Sequence, residues 1–98
     1  MKFHSMALLA LSVLAGQAPA QEKWVIGQSA PLSGGNAAFG KDIREGATAF
    51  FASLNAKGGV QGRQIELVSL DDKNDRATAA ANTKTLLETR NPLALFGY

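Results

Sequence analysis

Lys23-Trp24-Val25-Ile26-Gly27-Gln28-Ser29-Ala30-Pro31-Leu32-Ser33-Gly34-Gly35-Asn36-Ala37-Ala38-Phe39-Gly40 carries the change of periodicity that decides the fold. Lys23 to Gln28 is a short β-prone run containing Trp24, Val25 and Ile26, and the turn-rich Pro31, Ser33, Gly34, Gly35 and Asn36 end it. Phe39, Ile43, Ala47, Phe50 and Leu54 then recur at spacings of four, four, three and four, which places them on one face of a helix. Gly58 and Gly59 terminate that helix. Gly46 inside it should cost about 0.5 to 1 kcal/mol relative to alanine, so a close approach to a strand is its expected purpose. Gly40, near the helix start, carries a smaller penalty.

The same alternation continues downstream. Gln64 to Leu70 reads as a second strand, with Ile65 and Leu67 alternating against Glu66, while Val68 and Leu70 suggest burial on both faces. Asp71-Asp72-Lys73-Asn74-Asp75 is a polar loop in which Asn74 or Asp75 can cap a following helix. That helix runs to about Thr89 with an inward face of Ala77, Ala80, Ala81, Leu86 and Leu87. Pro92 ends it, and Leu93 to Phe96 forms a third, apolar strand reaching Gly97 and Tyr98. Strand, helix, strand, helix, strand with short connections predicts an α/β fold. Its sheet is a partial doubly wound parallel one (βαβαβ) with right-handed crossovers.

Residues 1–20 carry Lys2, an apolar run from Met6 to Ala15, and Ala18-Pro19-Ala20 with small residues where signal peptidase cuts. The run is half the roughly 20 apolar residues that a bilayer-spanning helix needs, so it predicts a secretory signal peptide cleaved after Ala20. Without Lys2, nine basic residues face eight acidic ones, scattered and without runs, which excludes a nucleic-acid or lipid surface. No cysteine is present, so a lipidated anchor and disulfide staples are both excluded. The expected mature chain is soluble and periplasmic.

Three segments carry a family resemblance: Ile26-Gly27-Gln28-Ser29-Ala30-Pro31-Leu32-Ser33-Gly34-Gly35-Asn36-Ala37-Ala38-Phe39-Gly40, Asn55-Ala56-Lys57-Gly58-Gly59-Val60-Gln61-Gly62-Arg63, and Leu70-Asp71-Asp72-Lys73-Asn74-Asp75. In that order, behind an export signal, they closely resemble the N-terminal lobe of periplasmic solute-binding proteins of the leucine/isoleucine/valine-binding type, which serve ABC importers. The resemblance covers nearly all of Lys23 to Tyr98. It implies the first lobe of a type I periplasmic binding protein fold and a small-molecule ligand such as an amino acid or amide. It also implies an ABC permease in the inner membrane as partner, and hinge closure of two lobes without chemistry. Two lobes need roughly 300 residues at about 150 per domain, so residues 21–98 are expected to be an incomplete N-terminal lobe, missing the second lobe of the same protein.

Ligands of open parallel sheets bind outside the carboxyl ends of the strands. The resemblance implies that the aromatic Phe39, just before Gly40, flanks the ligand, and that the loop after the third strand holds the ligand's carboxylate. Phe39 can equally be the first core residue of the helical stripe. Ser33 and Gly34 match the family's Ser-Gly turn and are the other candidate ligand-binding residues, although turn geometry and capping account for them as well. Asp71 and Asp72 match its acidic pair, for which a cap or dipole role is the plainer reading.

Gly35-Asn36-Ala37-Ala38-Phe39-Gly40-Lys41-Asp42 fits the phosphate-loop spacing, but Asp42 stands where a magnesium-binding hydroxyl belongs and would repel phosphate. The single His4 lies in the signal segment, so the mature chain has no His or Cys for a triad, a Cys-His pair or a transition-metal cluster. No enzyme activity, cofactor or metal is expected. The alternatives are a ligand-sensing ectodomain with the same lobe, or a small exported interaction domain without a transport role.

Overall fold

The structure is a computed structural model and describes residues 22–98. The expected signal peptide lies outside the described residues. Five elements follow in chain order: β1 (Trp24–Ala30), α1 (Ala37–Ala56), β2 (Ile65–Asp71), α2 (Arg76–Thr89) and β3 (Ala94–Leu95). They form a parallel sheet of order β2-β1-β3, with Trp24 to Ala30 paired on Ile65 to Asp71, and Ile26 and Gly27 on Ala94 and Leu95. The expected α/β fold with a βαβαβ parallel sheet is present.

Successive β1 side chains point to opposite faces of the sheet. Gly27 and Ser29 meet Leu86 and Asn82 of α2. On the other face, Trp24 and Ile26 line an apolar hollow of about 270 Å3 together with Phe51 of α1. The helices therefore cover the two faces of the sheet. Asn55 near the end of α1 serves β2 as a surrogate strand: its side chain donates to the Ile65 carbonyl at 2.9 Å and accepts from the Ile65 amide at 2.8 Å.

Boundaries shift in ways the pairing explains. β1 extends beyond Gln28 to Ala30, because Ala30 pairs with Asp71 and its carbonyl accepts from the Asp72 amide at 3.0 Å. Asp71 is thus the last residue of β2 rather than the first of a loop. β3 is only two residues long, although the flanking Leu93 and Phe96 amides also donate to Val25 and Gly27 at 2.8 and 2.9 Å. It lies at the sheet edge, and Leu93 is 65% exposed, so the expected apolar strand is an open one.

Both expected helical faces need correction. α1 turns Gly40, Ile43, Ala47, Phe51 and Leu54 inward and leaves Phe39 and Phe50 67% and 60% exposed. Gly40 sets this rotation: a Cβ there would lie 1.9 Å from the Pro31 carbonyl oxygen, so that line of the helix must face the preceding loop. Phe39 and Phe50 lie roughly 80° to 100° around the helix from it. Gly46 is exposed, with nothing within 4 Å of a Cβ, so the close approach belongs to Gly40 instead.

In α2 only Leu86 of the five expected residues is buried. Ala77, Ala80, Ala81 and Leu87 are exposed, while Thr78, Ala79, Asn82 and Thr83 turn inward. Asp75 caps the helix, accepting from the Thr78 amide and hydroxyl at 2.9 and 2.7 Å.

Candidate functional site

Three loops meet at the carboxyl edge of the sheet: Pro31 to Asn36 after β1, Asp72 to Asp75 after β2, and Phe96 to Tyr98 after β3. Asp71 ties the first to the second. Its Oδ1 accepts from the Leu32 and Lys73 amides at 2.8 and 2.9 Å, and its Oδ2 from the Ser33 hydroxyl at 2.6 Å. The Ser33 hydroxyl first, then these two amides, hold the Asp71 carboxyl down from its ordinary 3.8 to about 2. Hydrogen bonds to a carboxylate favour its ionised form.

Beneath this clamp lies a buried polar chain. Asn82 donates to the Ser29 hydroxyl at 3.1 Å and to the Asp71 carbonyl at 3.0 Å, and Ser29 donates to Asp72 Oδ2 at 3.0 Å. Asp72 Oδ1 accepts from the Asn74 amide at 2.8 Å. The two carboxylates therefore serve the loops, and the cap expected of the acidic pair falls to Asp75 instead. They make no catalytic dyad. Asp71 spends its acceptors on Leu32, Ser33 and Lys73, and Asp72 on Ser29 and Asn74.

Gln28 on the central strand is fully buried, accepts from the Ser69 hydroxyl of β2 at 2.6 Å, and donates to the Gly97 carbonyl at 3.3 Å. The Tyr98 and Thr83 hydroxyls are 2.7 Å apart. Thr83 gives its one proton to the Ala79 carbonyl at 2.9 Å, so Tyr98 is the donor of that pair.

The three sequence-predicted site residues all fall on this edge. Ser33 is exposed in the first loop, and Gly34 follows it with φ of +81° and a carbonyl that accepts from the Ala37 amide at 3.2 Å. Phe39 stands in the first turn of α1, and its exposure removes the reading as a core residue. The phosphate-loop pattern fails on geometry as well, because Ala37 to Asp42 already lie in α1 instead of a loop and the Gly40 amide is spent on the Asn36 carbonyl at 3.3 Å. Gln28, Ser29, Asn82 and Thr83 are additions from the structure. The polar pair Gln28-Ser29 inside an apolar strand was their available signal, whereas Asn82 and Thr83 carried none.

A larger open groove lies at the amino ends of the strands, beside Trp24, Arg63, Glu66 and Arg90. Three of its charged side chains are engaged: the Arg63 guanidinium stacks 3.7 Å from the Trp24 ring centroid, and Arg90 pairs with Glu66 at 2.9 Å. In a parallel sheet this is the wrong end for a ligand. Among the described residues no cluster of three or more His, Cys, Asp or Glu could hold a metal ion.

Comparison with known proteins gives this edge its context. A family model described as periplasmic binding protein matches residues 23–98. The Leu/Ile/Val-binding protein homolog 7 of Brucella suis biovar 1 (strain 1330) is 36% identical over 97 residues, covering 99% of this chain and 24% of that relative. Among solved structures, the branched-chain amino acid transporter substrate binding protein LivJ from Streptococcus pneumoniae, in complex with isoleucine, superposes with a TM-score of 0.74 at 35% identity. The match covers 79% of this chain and 22% of that one. A possible leucine/isoleucine/valine-binding protein from Rhodopirellula baltica SH 1 gives a TM-score of 0.75 at 30% identity, over 83% of this chain and 22% of that one. The chain thus spans about a quarter of the length of the curated relatives it matches. It belongs to the periplasmic binding protein family, with the type I fold, and the family and its structural neighbours are binding proteins rather than enzymes.

Proposed function

We propose that this chain is the opening part of the first lobe of an exported receptor that captures a small polar solute, an amino acid or a related acid or amide, for an ABC permease. Residues 1–20 would direct export to the periplasm and residues 21–98 begin the ligand-binding lobe. The observation that carries this reading is the exposure of Phe39 in the first turn of α1, on the carboxyl side of the sheet. An aromatic ring excluded from the core beside a loop of fixed polar groups suits a ligand with an apolar side chain and a charged backbone. Structural neighbours described as branched-chain amino acid transporter proteins support the same class.

The geometry also gives Ser33 a chemical role. Its proton is committed to Asp71, so toward a ligand the hydroxyl offers only lone pairs and suits an ammonium rather than a carboxylate. The exposed third strand is the observation favouring a partner-dependent interaction domain instead, since an open apolar edge invites pairing. Sequencing beyond the Tyr98 codon, followed by calorimetric titration of the complete product with L-isoleucine, L-leucine and L-valine, separates the readings. Saturable binding of one of them supports the receptor, and a further α/β lobe without a membrane span favours transport over sensing. Absence of binding by a folded product overturns the receptor.

A further inference from the structure

Gln28 is a polar side chain on a sheet face otherwise built from Trp24, Ile26 and Ala30, and it is wholly shielded from solvent. A buried amide persists only where its donors and acceptors are matched. We propose that Gln28 is a positioning residue for the solute site: its amide holds the Gly97 carbonyl, and with it the turn into Tyr98, in place at the carboxyl edge. The inference rests on the reading of that edge as the ligand side.

Two observations besides the hydrogen bond carry it. The amide's orientation is fixed, because the Gly97 carbonyl can only accept and so must face the nitrogen, which leaves Oε1 to the Ser69 hydroxyl. Gly97 is also seated in a slot, since a Cβ there would stand 2.7 Å from Gln28 Nε2 and 3.3 Å from Ile43 Cγ2, and its φ is +72°. One side chain on the central strand thus links β2 through Ser69 to the segment following β3. The Tyr98 hydroxyl on Thr83 holds the far side of that segment.

The test uses the complete product of the reading frame, L-isoleucine as the probe, and three variants. Gln28→Leu removes both hydrogen bonds at similar volume, Ser69→Ala removes only the partner of Oε1, and Leu86→Ala lowers stability from the opposite face as a control. Amide hydrogen exchange at Gly97 and Tyr98 is measured beside calorimetric affinity and melting temperature. The expected result is faster exchange confined to Gly97 and Tyr98 in Gln28→Leu, with isoleucine affinity weakened about fivefold to tenfold, the scale of one lost buried hydrogen bond. Ser69→Ala follows in the same direction with a smaller change and serves alone if Gln28→Leu does not fold. Leu86→Ala melts earlier yet binds within about twofold of the parent.

Exchange that rises throughout the sheet, or affinity that falls equally in Leu86→Ala, overturns the inference. If the parent does not bind isoleucine but exchange in Gln28→Leu is confined to Gly97 and Tyr98, the receptor reading fails while the positioning of the turn stands.

Discussion

Ser33 donates its hydroxyl to Asp71 Oδ2 over 2.6 Å, so the last residue of β2 holds the loop that follows β1. The two residues are 38 apart in sequence, and the contact exists only because β1 and β2 lie side by side in the sheet. It converts a glycine-rich turn into a fixed wall at the edge where a ligand would enter.

The lowered pKa of Asp71 makes this wall sensitive to acid. A carboxyl whose folded pKa lies below its unfolded value contributes stability above about pH 4, and loses that contribution as pH falls from 3.8 toward about 2. Asp71→Asn should therefore flatten the acid limb of a melting temperature against pH curve. The Asp75 carboxyl, lowered mainly by the Thr78 hydroxyl, retains its own part of that limb. An unchanged limb in Asp71→Asn would contradict the clamp.

Gly40 and Gly46 should respond in opposite directions to alanine. At Gly40 the added Cβ meets the Pro31 carbonyl, and overpacking against backbone predicts a loss of about 1 to 3 kcal/mol. At Gly46 the space is open and the backbone helical, so alanine should gain about 0.5 to 1 kcal/mol. Urea unfolding of the two variants in the complete protein distinguishes them.

Asn82→Ala removes a donor shared by Ser29 and the Asp71 carbonyl and should destabilise by about 1 to 3 kcal/mol. An exposed alanine on the same helix, Ala81→Ser, should change stability by no more than about 0.5 kcal/mol. Equal effects in denaturant titrations would show that the buried chain contributes nothing.

Residues 21–98 alone should not unfold cooperatively. A chain of this size buries only about 60% of its unfolded surface, and Leu93, Leu95 and Phe96 lie exposed at an open sheet edge. Calorimetry beside light scattering is the check. A sharp transition from a monodisperse monomer would show that the edge needs no cover.

The order of elements was legible because alternation and helical spacing are local properties, and Pro31 to Asn36 and Pro92 mark their ends. The phase of α1 was not. Phe50 and Phe51 are adjacent, and the choice between them is made by the contact of Gly40 with Pro31, a tertiary event without a hydropathy signal. The inward face of α2 was misread for a related reason: Asn82 faces the sheet through hydrogen bonds, which apolar patterning cannot register. Of the candidate site, Ser33, Gly34 and Phe39 were named through the family resemblance, since as residue types a turn and a helical stripe account for them equally well. The work of Asp71 and Gln28 depends on strand register, and that of Thr83 on the approach of the segment after β3 to α2, so both appear only in the folded sheet.

Phe39 and Phe50 give the most direct test of the solute site. Both rings are largely exposed on one flank of α1, but Phe39 stands in the first turn, beside the carboxyl edge, and Phe50 about three turns further along the helix, toward the opposite edge. In the complete protein, titration with L-isoleucine should show Phe39→Ala weakening affinity about tenfold, with Phe50→Ala within about twofold of the parent, the contrast expected of a contact residue and a bystander. Equal affinities in both variants, or a loss confined to Phe50→Ala, would contradict a ligand site at the carboxyl edge.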